Sequence, residues 1–326
     1  MSQAYYMENH DLKEGVEKMS KEKNKAMMEA YYVKKEKILN LMTFPDALRK
    51  SNFFIAQRPK DNLLDSTFEL PKSMREARGD FPVHIFYQSK DRRKASLEMR
   101  YRGYRGDYND FLIYTAILRF WVEQGCPSSG IVFCRKEMML SLGMNPNEYK
   151  DVIRLEQSLL RMYDTDIYLH CSLPQGDSMS LIFPLICAIG QDTTKKGKKV
   201  HYRVDFEKNN NPFLMNSHPV FASQKTLIGL KNTPYQGNIY SFLCCSKDKL
   251  TMTEDDLITL NNPVLSEQQR SKFLENMEYR IIPNMQERGL IKQCTVERKI
   301  DPEDGRKYKQ FHFKLNENSL KILRKL

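Results

Sequence analysis

Residues 131–163 read IVFCRKEMMLSLGMNPNEYKDVIRLEQSLLRMY, and the order of signals within this stretch decides the fold. Ile131-Val-Phe-Cys134, after Gly130, is a short β-branched and aromatic run bounded by a turn residue, which reads as a strand. Residues 135–142 place apolar side chains at helical spacing and stop at Gly143, the residue type that closes helices in the left-handed conformation. Asn145 or Asn147 then caps a further helix, about 148–163, whose Tyr149, Val152, Ile153, Leu155, Leu159, Leu160 and Met162 supply a buried face. Two helices hinged at a glycine turn make a helix-turn-helix.

The flanks complete a larger pattern. Upstream, Asp107 or Asn109 caps a helix carrying Phe111, Leu112, Tyr114, Thr115, Ile117, Leu118, Trp121 and Val122, closed by Gly125. Downstream come three strand-like runs, 166–173, 179–189 and 199–206, the last two joined by GQDTTKKGKK at 190–199. Helix, strand, helix, turn, helix and a hairpin with a basic loop is the order of a winged helix.

The order recurs. Residues 232–245 form a helix with Tyr235, Ile239, Tyr240, Phe242 and Leu243, and Thr251 or Thr253 caps a short helix from Glu254 to about Leu260. A turn at Asn261-Asn-Pro263 precedes a long helix, about 266–288, that Pro283 kinks. A strand from Gly289 to Ile300, the turn Asp301-Pro-Glu-Asp-Gly305 and a return strand at 306–315 form a second hairpin, and Asn316 caps a final basic helix. The expected class is α+β: two tandem winged-helix domains with a helical N-terminal extension. The boundaries are 1–80 for the charged extension and linker, 81–215 for the first domain and 216–326 for the second. Within the extension, 8–41 reads as a Glu/Lys-rich helix and 43–80 as an irregular linker; 81–87 and 95–101 are extended.

Charge indicates the partner. Lys and Arg outnumber Asp and Glu by 52 to 41, a formal charge of +11, which favours a polyanion where the excess is concentrated. One concentration is Arg92, Arg93, Lys94, Arg100, Arg102 and Arg105, interleaved with Tyr101 and Tyr104. A second is the hairpin loop with Lys195, Lys196, Lys198 and Lys199; a loop of this kind lies along the DNA backbone and supplies affinity rather than sequence reading. Arg298, Lys299, Arg306, Lys307 and Lys309 flank the turn of the second hairpin in the same way. In a helix-turn-helix the second helix reads base edges, which selects Asn145, Asn147, Lys150, Arg154 and Arg161 in the first domain. The second domain offers Gln269, Arg270 and Lys272, beside Ser266 and Gln268, on a helix that also carries Glu267, Glu275 and Glu278.

Other classes find less support. There is no Walker-type loop, no G-x-S-x-G and no His-x-His, so a nuclease, primase or other nucleic-acid-processing enzyme is the more remote alternative. No catalytic residue, metal site or cofactor is expected; Glu254-Asp-Asp256 begins a helix, where carboxylates suit the dipole. The seven Cys are odd in number and include no C-x-x-C, which indicates reduced thiols and, with no apolar run of membrane-spanning length, a cytoplasmic protein.

The motifs also resemble a known family. Tyr108-Asn-Asp-Phe-Leu-Ile-Tyr-Thr-Ala-Ile-Leu-Arg119, then residues 131–143, then Tyr149 through Leu159-Leu-Arg-Met-Tyr-Asp-Thr-Asp-Ile167 are similar to plasmid replication initiators of the RepA type, as is Phe81-Pro-Val-His-Ile-Phe-Tyr-Gln-Ser-Lys90 before them. The resemblance covers roughly 81–245. It implies two winged helices that bind double-stranded origin repeats, help open an AT-rich segment and recruit host helicase, with a homodimer that represses its own gene. A winged-helix transcriptional regulator is the principal alternative, because the same contacts serve repression; a protein–protein module of the same fold is another.

Overall fold

Capping chemistry sets where the first long helix begins. Asp107 accepts from the Asp110 amide at 2.9 Å and Asp110 accepts from the Asp107 amide at 3.0 Å, a reciprocal box that satisfies two orphan donors. The computed structural model describes residues 41–45, 54–56, 79–83, 96–104, 106–125, 127, 130–172, 178–193, 200–206, 219–245, 249–262, 265–302 and 305–316. The expected helix at 8–41, apart from its last residue, and the basic helix after Asn316 lie outside them.

The chain is α+β. Strands β1 (Leu41–Pro45), β2 (Phe54–Ile55), β3 (Gly79–Val83), β4 (Ser96–Gly103) and β5 (Gly106–Asp107) precede helix α1 (Tyr108–Glu123). Next come β6 (Ile131–Cys134), α2 (Arg135–Ser141), α3 (Tyr149–Tyr163), β7 (Asp166–Ser172), β8 (Ser178–Pro184), β9 (Ala188–Thr193) and β10 (Val200–Asp205). β11 (Pro219–Ser223), α4 (Gln224–Gly229) and α5 (Pro234–Cys244) follow. The chain continues through β12 (Lys249–Thr253), α6 (Glu254–Asn261), α7 (Glu267–Asn276), a π-turn (Met277–Ile281), α8 (Ile282–Glu287), β13 (Ile291–Ile300) and β14 (Lys307–Leu315).

Two three-stranded antiparallel sheets have the same order. The first runs β6-β10-β9 and the second β12-β14-β13, so in each unit the strand before the helix pair lies beside the last strand of the hairpin. Helix α1 leads the first unit and α5 the second. A four-stranded sheet, β3-β4-β7-β8, is attached to the first unit between α3 and β9. One hydrophobic cluster runs continuously from Phe54 through both units to Leu315.

Several expectations change. The run 179–189 is two strands in different sheets, because the chain breaks after Pro184: the Leu185 amide donates to the Thr165 carbonyl and the Cys187 amide to the Asp205 carbonyl. The stretch 43–80 is not simply irregular. β1 pairs with β11, Leu41 opposite Ser223, and β2 runs parallel to β5. These strands are too short to show alternation, and their partners are far away in sequence. Neither Asn145 nor Asn147 caps α3; its N-cap is Glu148, with no side-chain bond. Tyr149, expected to be buried, is 61% exposed.

Pro283 does distort the long helix. It has no amide to return to the carbonyl four residues back. The turn before it widens, and the Ile282 amide bonds the Met277 carbonyl, five residues back.

The units are packed on each other. The Tyr108 hydroxyl donates to the Leu227 carbonyl at 3.0 Å. Gln224 accepts from Arg119 at 2.6 Å and donates to the Ser141 carbonyl at 2.8 Å. A Cβ on Gly237 would sit 2.3 Å from the Tyr108 ring, so only glycine lets α5 approach α1 so closely. The Phe54 ring packs tilted against Phe111, centroids 5.6 Å apart, while the neighbouring Ala56 amide donates to the Asn261 carbonyl at 2.9 Å; residues 54–56 thus touch both units.

Candidate nucleic-acid interface

In the first unit the turn between α2 and α3 is built by a Schellman closure. Gly143 has φ +61°, its amide donates to the Leu140 carbonyl at 3.1 Å, and the Met144 amide donates to the Met139 carbonyl at 2.8 Å. Met139 and Met144, the positions whose apolar side chains usually accompany this motif, are both buried. Asp151 then braces the start of α3: it accepts from the Asn145 amide at 2.8 Å and from Arg154 at 3.1 Å. Asn145 Oδ1 accepts from the Asn147 amide at 3.1 Å.

The result is an exposed helix start bearing Asn145, Asn147, Tyr149 and Lys150, with Arg154 partly exposed beside them. Lys150 has no acidic partner among the described residues. Arg135 and Lys136, at the start of α2, add positive charge; Lys136 is exposed and Arg135 lies 3.8 Å from Glu156. Sequence reasoning passed over this pair, although the absence of any loop between strand and helix was the signal for it. Lys231, in the turn after α4, is held below the usual lysine range by burial above all, with the opposing charges of Asp151 and Arg154 acting on it at longer range. A Cβ on Gly143 would sit 3.2 Å from the Ile228 side chain of α4, so this turn lies close to the chain leading into the second unit.

Arg161 does not belong with these residues. It is 3% exposed and forms a 2.5 Å ion pair with Asp110, which is 1% exposed, and it also donates to Ser158. Its own carbonyl accepts from the Thr165 hydroxyl at 2.6 Å, and Thr165 accepts from the Tyr104 amide. Arg161 therefore anchors α3 to α1 from inside. Glu156 lies on the same helix, 1% exposed, and accepts from the Tyr202 hydroxyl at 2.5 Å; burial first, then Glu156, push that phenol well above its usual range.

Lys195, Lys196, Lys198 and Lys199 lie outside the described residues, as do Arg92, Arg93, Lys94 and Arg105. The described register ends at Thr193 opposite Val200, so the four lysines fall in the segment joining β9 to β10. Arg100 and Arg102 are exposed on β4, whereas Tyr101 between them is buried, the alternation of a one-sided strand. They lie on the attached four-stranded sheet, apart from the helix pair.

The second unit is wired differently. Gln269 accepts from the Ser266 amide at 2.9 Å and is spent as a cap. Arg270 bonds Asp255, Arg306 lies 3.8 Å from Glu254 and 4.0 Å from Asp255, Lys309 bonds Glu278 at 2.5 Å, and Lys299 lies 3.5 Å from Glu297. Lys272, Arg298 and Lys307 are exposed and without acidic partners among the described residues. Glu254, Asp255 and Asp256 do not converge on a cation: Asp256 boxes with Thr253, Glu254 accepts from the Lys309 amide, and Asp255 holds Arg270. Among the described residues no group of acids, His and Cys has the arrangement of a metal site, and Cys134, Cys187, Cys244, Cys245 and Cys294 are free thiols.

No family model matches the chain, and no curated protein sequence matches it. Among solved structures, one of domains 2 and 3 of RctB aligns at 14% identity over 76% of this chain and 94% of that chain, with a TM-score of 0.44. Another of the same RctB domains aligns at 13% identity over 70% of this chain and 90% of that chain, with a TM-score of 0.43. Likeness at that level carries no assignment. No helix among the described residues is long and apolar enough to cross a membrane.

Proposed function

We propose that the chain is a non-catalytic, double-stranded-DNA-binding protein of two winged helices that serves as a plasmid-type replication initiator. The observation that carries the DNA reading is the repeated sheet order, β6-β10-β9 and β12-β14-β13, each enclosing a helix pair. In such a unit the second helix faces the major groove and the hairpin the backbone. Asn147 and Lys150 are the base-reading residues of the first unit, with Arg154 and Tyr149 beside them. The lysines at 195–199, with Lys136 and Arg135, take phosphates. The initiator role, with origin opening, helicase recruitment and autorepression by a homodimer, is supported by the resemblance of motifs within residues 81–245 to those of RepA-type initiators.

Binding of the full chain to a duplex carrying repeats from beside its gene tests the reading. Six or more phosphate contacts weaken affinity by about 10³-fold between low and moderate salt. A flat salt response in fluorescence anisotropy removes DNA as the partner. Repeats next to an AT-rich tract that melts when the protein binds separate an initiator from a regulator of the same fold; repeats over a promoter with no melting select the regulator.

A further inference from the structure

The two helix pairs begin with opposite charge at equivalent positions. Strand β6 runs without a loop into α2, whose first residues are Arg135-Lys-Glu137; strand β12 runs without a loop into α6, whose first residues are Glu254-Asp-Asp256. In the proposed docking geometry the start of this helix flanks the groove entered by its successor, and it meets the phosphate backbone. In the first unit a polyanion meets Arg135 and Lys136 there. In the second it meets carboxylates, which the helix dipole stabilises.

Those carboxylates are engaged. Asp255 bonds Arg270 in the first turn of α7, Glu254 lies 3.8 Å from Arg306 just before β14, and Glu254 also accepts from the Lys309 amide at 3.2 Å. Two elements that would each present cations to DNA, α7 and the hairpin, are thus tied to α6 by two acids placed where phosphates would lie. Asp255 is 52% exposed and Arg270 32%, so the pair is open to exchange with solvent ions rather than locked in the core.

We propose that Glu254 and Asp255 are internal stand-ins for DNA phosphate, which keep Arg270 and Arg306 occupied and make the second unit a poor binder of arbitrary duplex. This rests on the DNA reading of the chain. The acids act as specificity-determining residues: a duplex must displace them to gain the two arginines, and only a site that also satisfies Lys272, Arg298 and Lys307 offers enough in return. Repulsion of wrong partners is a recognised route to specificity.

The test uses the full chain and a labelled duplex of mixed sequence, with anisotropy read across a salt series. Asp255→Asn is expected to bind this duplex severalfold more tightly than the unsubstituted chain, with the salt slope steeper by about 0.9 for one added phosphate contact. Adding Glu254→Gln extends the gain, and adding Arg270→Ala to Asp255→Asn removes it. Glu287→Gln changes net charge by the same amount at the far end of α8 and is expected to leave the affinity unchanged. Circular dichroism melting establishes that each variant is folded. Unchanged or weaker binding by folded Asp255→Asn overturns the inference, as does an equal gain from Glu287→Gln. If those results appear while Lys150→Ala still weakens binding, the DNA reading stands and this inference alone falls; if no variant binds duplex at any salt, the DNA reading falls and takes this inference with it.

Discussion

At the scale of single residues, charge read from sequence separates poorly into surface and interior. Arg161 and Arg154 sit on the same helix seven residues apart, yet one is buried against Asp110 and the other lies partly exposed beside Asp151. Asp110 closes the capping box with one carboxylate oxygen, which accepts from the Asp107 amide, and its other oxygen accepts from Arg161. A buried carboxylate and guanidinium tolerate each other only as a pair. Removing one partner leaves the other uncompensated, so Asp110→Ala is expected to cost about 3–5 kcal/mol of stability. Lys150→Ala, on an exposed helix turn, should stay within about 0.5 kcal/mol of the unsubstituted chain. Urea denaturation of the two variants compares them directly. A midpoint for Asp110→Ala equal to that of Lys150→Ala would mean that the Arg161 pair contributes no net stability.

At the scale of elements, the parts that were legible are those whose signals are local. The strand at 131–134, the helix pair around Gly143 and the hairpin at 291–315 announce themselves through periodicity, glycine and turn residues, and they fold as read. Strands β1, β2 and β11 were not legible, because a strand of two to five residues carries no alternation and owes its existence to a remote partner. Of the candidate interface, the place of the helix after Gly143 was legible but its cap and the exposure of Tyr149 were not, and neither was the ion pairing that occupies Arg270, Arg306 and Lys309, since their acidic partners come from other elements. Helix and hairpin should divide the work. Replacing Lys195, Lys196, Lys198 and Lys199 with Ala is expected to weaken specific and mixed-sequence duplexes about equally and to flatten the salt slope. Replacing Asn147 with Ala should cost on the order of 1–3 kcal/mol on the specific site alone. Competition anisotropy with both duplexes reads the two effects. A hairpin variant that lost discrimination, with the helix variant unaffected, would reverse the assignment of the two elements.

At the scale of the molecule, the question is whether the two units are beads on a string or parts of one body. Residues 206–235 suggest a connector when read alone, but the described part of that stretch forms β11, α4 and the start of α5, all packed against the first unit. Arg288, at the end of the second unit's long helix, donates to Gln236 at 2.8 Å and to the Gly229 carbonyl at 3.2 Å, and Gln236 in turn donates to Asn284. The strand pair β1–β11 and the Ala56–Asn261 hydrogen bond tie the same junction from the N-terminal side. Cutting the chain near Phe206 would strip Tyr108 of Gly237 and Leu227, so a truncated fragment tests stability before it tests DNA binding. A change in the DNA is the cleaner probe. Successive major-groove faces on one side of a duplex lie roughly 34–36 Å apart, and two helices held at a fixed separation can match only one spacing. On a cognate duplex the footprint is therefore expected to span about two helical turns. Inserting one further turn, roughly 10.5 base pairs, between the half-sites keeps both on the same side but moves them out of reach of a fixed body. Units on a flexible connector would follow the insertion with a modest loss; this chain is expected to fall back to protection of a single half-site, with affinity reduced to that of one unit. Nuclease footprinting on the two duplexes decides it, and full protection of both separated half-sites by one chain would show that the packed junction opens on DNA.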